Sequence, residues 1–140
     1  MELSIEKEIK KGVINRPVLN GFQYDELFTE SNCEIKNTFK GKGCVGIRET
    51  INWAKKYKDE TKPLSEIFNN ESLKTMCNNI QVFLYSHILY SYDDYYNIKS
   101  PACVWSSKTA DCKSYTVFAS TILLNLGIKH FLRSVKWEEG

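Results

Sequence analysis

The sequence predicts a helix-rich α+β domain, and three observations carry that prediction. Two stretches, 46–57 and 70–92, place apolar residues at helical spacing. A third, 111–126, is apolar almost all round and is closed by Gly127. The segment after it, 128–137, alternates in the manner of a strand. A central helix running straight into a strand implies an antiparallel sheet still to come, left incomplete at Gly140.

Each element has its own signals. From Gly46 to Tyr57, Ile47, Ile51, Ala54 and Tyr57 share one stripe, with Arg48, Glu49 and Lys55 mostly outside it. Asp59 to Pro63 breaks that helix, because a residue preceding proline avoids helical geometry; Pro63 then opens a short helical piece from Leu64 to Phe68. Asn70 is the expected N-cap of the next helix. Its stripe is Leu73, Cys77, Ile80, Leu84, Ile88 and Tyr92, with His87 beside it. Ile98 to Pro101 reads as a loop, and so does Ser106 to Ala110. Residues 1–45 form a weakly patterned N-terminal arm. Phe22-Gln23-Tyr24 and Phe28 are its expected anchors, and 46–140 is the folded domain.

Composition excludes several classes of function. The 140 residues fit one domain, with 42% hydrophobic and 26% charged residues. A formal net charge of +2 is too balanced for nucleic acid or an anionic membrane as partner. No apolar run is long enough to span a bilayer, and the start, MELSIEKEIKKG, shows no secretory signal. The five cysteines are odd in number and scattered, unlike a disulfide framework, so a reducing, cytoplasmic setting is expected. No Cys-x-x-Cys pair and no paired histidines are present, so neither metal nor other cofactor is expected. The tyrosines at 85, 90, 92, 95 and 96 read as a ring-packed helix end, with a carbohydrate- or peptide-binding surface as the alternative.

The chemistry centres on Asp111-Cys112-Lys113-Ser114. This layout puts Cys112 in the first turn of the 111–126 helix, where unpaired N–H groups and the positive end of the macrodipole favour a thiolate over a thiol. Asp111 reads as the N-cap and Lys113 as a solvated charge. His130, the one histidine after Cys112, is the only substitute base on offer, and a histidine packed against a sheet is its other reading. His87 reads as a core histidine with one hydrogen bond. Trp105 either lines a substrate cleft or helps an oxyanion, or it is buried as a lid over the helix.

Ser100-Pro101, Asp111-Cys112, Phe118-Ala119-Ser120, Leu123-Leu124, Leu126-Gly127-Ile128 and Arg133-Ser134-Val135, in that order, resemble the transglutaminase-like superfamily, in its small bacterial and phage-associated form. Ile88 to Asp93 and Gly46 to Thr50 resemble its preceding helices. The likeness covers 44–137 and is strongest over 100–135. It implies a papain-like core and a cysteine that forms a thioester with peptide or side-chain amides. A histidine base and an orienting aspartate should follow on later strands. Only Cys112 carries over: His130 lies too early, and no Asp follows Cys112. The resemblance therefore implies one of two things. The chain is either the N-terminal half of a cysteine protease or acyl transferase, completed by a missing segment or a partner chain, or a catalytically silent interaction module such as a phage component.

Overall fold

The computed structural model describes residues 16–28, 33–37, 43–92 and 97–133. The elements among them are β1 (Ile35–Asn37), α1 (Gly43–Tyr57), α2 (Lys62–Ile67), α3 (Leu73–His87), β2 (Leu89–Tyr90), β3 (Asn97–Lys99), α4 (Pro101–Ser107), β4 (Thr109–Ala110) and α5 (Cys112–Asn125). Two 3₁₀ segments, Phe22–Phe28 and Lys58–Thr61, join them. The chain is thus α+β and rich in helix. No helix among the described residues is long and apolar enough to cross a membrane.

The central position expected of the 111–126 helix is what α5 occupies. It packs against α1, α2, α3, α4, the 58–61 turn and strands β3 and β4. Val117, Phe118, Thr121 and Ile122 are fully buried along it. Gly127 takes φ +71°, its N–H bonds the Leu124 carbonyl and the Ile128 N–H bonds the Leu123 carbonyl. That pair of bonds is a Schellman cap, the ending the glycine signalled. Asn125 then fastens the helix end to the Lys58 carbonyl at 2.7 Å and the Thr61 hydroxyl at 3.0 Å.

The other helices depart in detail. α1 begins three residues earlier than its stripe suggested, and among its described side chains Thr50, Trp53 and Ala54 are buried. Pro63 sits in the first turn of α2, as expected. Lys62 before it is itself helical (φ −57°, ψ −50°), so the pre-proline break expected over 59–63 is not made and the 58–61 turn leads directly into α2. α3 is shorter than 70–92 at both ends. Ser72 caps it, its hydroxyl accepting from the Thr75 N–H, while Asn70 instead accepts from the Ser72 N–H. Its stripe buries Ile80, Phe83, Leu84 and His87, whereas Leu73 and Cys77 stay exposed.

The strands are the main correction. The expected sheet after α5 is absent over residues 128–133, which run irregularly; 134–137 lie outside the described residues. An isolated extended segment has nothing to accept its backbone bonds, and Phe131 is 99% exposed there. The pairings instead precede α5. β1 pairs antiparallel with β3, Ile35 opposite Lys99, and β2 pairs parallel with β4, Tyr90 opposite Ala110. Both β3 and β4 arise where loops were expected. The β2–β4 crossover runs through β3 and α4.

The 16–28 segment packs on this body. The Leu19 N–H bonds the Ser86 carbonyl, Phe28 is buried, Tyr24 is half-buried and Phe22 is exposed. So Tyr24 and Phe28 serve as the expected anchors, while Phe22 and Gln23 do not. Cys33 and Cys103 are joined as a disulfide, against the expectation of free thiols only. The β1–β3 pairing explains the meeting: Cys33 leads into β1, while α4 begins two residues after β3. Glu34 and Ser100 exchange hydrogen bonds at 2.7 and 3.0 Å between them.

Glu60 caps α4, its Oε1 accepting from the Ala102 N–H at 3.0 Å. Burial raises its carboxyl above the ordinary value, opposed by that bond and by Ser100, with Glu34 adding to the rise. A carboxyl raised on folding contributes stability that is full below the unfolded value near 4.5 and is lost as pH climbs through the folded one. Glu60→Gln keeps the acceptor without the charge. Thermal melts should show it at least as stable as wild type at pH 7, the difference closing below pH 4.5.

Candidate functional site

Cys112 is the first residue of α5 and is exposed. The turn beneath it is rigidly held. Asp111 is buried, and its Oδ1 accepts from the Ser114 N–H at 2.9 Å, the N-cap bond expected of it. Its Oδ2 meets Lys113 Nζ at 2.7 Å, so Lys113 is an ion-pair partner and not a solvated charge. The carboxylate therefore faces a backbone donor and a cation, and its charge is compensated at the helix start. The Ser114 hydroxyl accepts from the Lys99 N–H at 3.0 Å, docking β3 on the same turn. One turn on, the Thr116 hydroxyl donates to the Cys112 carbonyl at 2.7 Å. Helix geometry leaves the Cys112 N–H without an intrahelical acceptor.

Tyr90 is the neighbour that the sequence did not reveal. The β2–β4 register sets it opposite Ala110, two residues before Cys112. Burial raises its phenol above the ordinary value, and the charges of Cys112 and Asp111 add to the rise, with Lys113 opposing. The hydroxyl thus stays protonated, a donor within the electrostatic reach of the thiol. Of the other clustered tyrosines, Tyr85 and Tyr92 are exposed, and Tyr95 and Tyr96 lie outside the described residues.

No histidine reaches this site, although the chain's two histidines are both described. His130 Nε2 is 2.7 Å from the Ser120 hydroxyl, and its Nδ1 is 2.9 Å from the Ile128 carbonyl. Ser120 is eight residues along α5 from Cys112, which at the helical rise is roughly 12 Å. His130 stands at the far end because the chain turns away at Gly127 and runs irregularly over 128–133. His87 is buried, its Nδ1 at 2.8 Å from the Phe83 carbonyl, the single hydrogen bond of a core histidine. Trp105 lies within α4, not in a loop. Its indole N–H donates to Asp25 at 2.8 Å, and its ring stacks on Phe28 and Phe83. It is buried among aromatics and does not face Cys112. Among the described residues no cluster of His, Cys, Asp or Glu is arranged to hold a metal.

A groove of about 670 Å³ opens beside the site, between α3 and α5. Tyr90 and Thr116 form the end nearest Cys112; Ile80, Leu84, Ala119 and Leu123 form its walls. Comparison with protein-family models, with curated proteins and with solved structures finds no match to this chain.

Proposed function

We propose that Cys112 is the thiol nucleophile of a transglutaminase-like acyl-transfer or peptidase domain acting on peptide or side-chain amides. The observation that carries this reading is an exposed cysteine at the first position of the central helix, on a turn fixed by Asp111, Lys113 and Ser114. The thiolate would attack the amide carbonyl, with the Cys112 N–H and the Tyr90 hydroxyl as candidate donors to the oxyanion. The general base is not a histidine of this chain, because both are committed elsewhere.

The missing base makes a sharp expectation. A p-nitrophenyl acyl ester needs no proton delivered to its leaving group. Attack by the thiolate forms a C–S bond, breaks the C–O bond and releases p-nitrophenolate. Hydrolysis of the resulting thioester would lack its base, so the acyl adduct should accumulate. Cys77, also free and exposed, is the internal control. Intact-mass and peptide analysis should find Cys112 acylated on the order of tenfold faster than Cys77, and Cys112→Ser should abolish the fast phase. Equal rates at the two cysteines would sink the nucleophile. They would favour the silent interaction module, for which the absence of any histidine at the site is the supporting observation.

A further inference from the structure

We propose that the groove between α3 and α5 recognises the C-terminal end of a peptide, seating a large aliphatic last residue on its walls and its carboxylate on Arg16. The inference deepens the nucleophile reading by naming what lies beside Cys112, but its test does not depend on that reading.

The groove has the size and character of a ligand site. At about 670 Å³ it falls within the usual range of small-ligand clefts. The aliphatic walls run along α5 from Thr116 to Leu123, a helical rise of roughly 10 Å, enough for two or three extended residues. Polar groups gather at one end, where the C-terminus of α3 meets the first turns of α5. Arg16 Nη2 donates to the Ile88 carbonyl at 2.9 Å, and the Tyr115 hydroxyl donates to the same oxygen. The Arg16 guanidinium also lies 3.7 Å over the Tyr85 ring, which holds it in a fixed plane.

The charge balance selects the ligand. No acidic residue lines the groove, and among the described residues no carboxylate pairs with Arg16. A guanidinium has five N–H donors; the Ile88 carbonyl and the Tyr115 hydroxyl take two of them and the Tyr85 ring covers one face, which leaves the remaining donors of the fork open. A half-buried cation facing apolar walls is best compensated by a carboxylate, which it can bind through two parallel bonds. An apolar body carrying one terminal carboxylate meets both demands.

Cys77 gives the readout, because it lines the groove and is exposed. In the Cys112→Ser chain, iodoacetamide modification of Cys77 is timed with and without an N-acetylated tetrapeptide ending in Leu-Leu. At peptide concentrations about ten times Kd, protection should be about tenfold. The same peptide with a C-terminal amide should bind about tenfold or more weakly, as should the acid with Arg16→Gln. Ala119→Met narrows the groove from the opposite wall with Arg16 intact and should also remove protection. Equal protection by acid and amide would overturn the role of Arg16. Protection by decanoate but not by the peptide would overturn the peptide in favour of a free fatty acid. No protection by either would overturn the site.

Discussion

Phe118→Ala is expected to remove about 3–5 kcal/mol of stability. Phe118 is fully buried in the middle of α5, and its ring lies 6.2 Å from Phe28. Helices pack around α5 on most sides, so they cannot close the vacated space without moving one another. The loss then includes both the transfer term and the cavity term. Urea denaturation should show a lower midpoint at unchanged slope. A loss under about 1.5 kcal/mol would mean that the neighbours collapse freely, and that α5 is less firmly enclosed than its burial shows.

Gly21→Ala should cost roughly 2–4 kcal/mol, the sum of two separable terms. The backbone there has φ +64°, where an L side chain is strained. A Cβ would also fall 2.6 Å from Trp105 Cη2 and 2.8 Å from His87 Cδ2. Neither ring can yield easily: Asp25 pins the indole, and the Phe83 carbonyl holds the imidazole. Gly127→Ala is the matched control, with φ +71° and no atom within 4 Å of the added carbon. It should carry the backbone term alone, about 1–2 kcal/mol. Calorimetric melts of the two variants would isolate the steric part. Equal losses would show that the 16–28 segment gives way.

The legible parts of the sequence were those governed by local physics. The caps at Asp111 and Gly127 depend on neighbours within four residues, so residue type alone announced them. The burial of α5 followed from its being apolar on every face. The strands were illegible for the opposite reason. β2 and β4 are two residues each, too short to show alternation, and their pairing joins segments on either side of α4. That pairing sets Tyr90 beside Cys112, so the second half of the site was hidden with it. His130 misled because alternation over 128–137 describes a strand only where a partner supplies the ladder. Lys113 was read from its charge alone; its partner is two residues away and points inward. The disulfide followed from the β1–β3 register, which no cysteine count contains.

The position of α5 also sets how the molecule can breathe. Most of the other described elements rest on that one helix, so none of these can leave while the remainder stays dry. Partial openings are then confined to the rim, such as the exposed start of α3 and the run after Gly127. Backbone amides from Val117 to Ile122 should exchange with deuterium only when the whole chain opens, making them a direct gauge of global unfolding. In the first turn the Ser114 and Tyr115 amides, bonded to buried Asp111, should be protected as well, whereas the Cys112 N–H has no intrahelical acceptor and should exchange freely. The reactive end of the helix would thus open to solvent at a single amide while the turn that carries it stays closed with the rest of the fold.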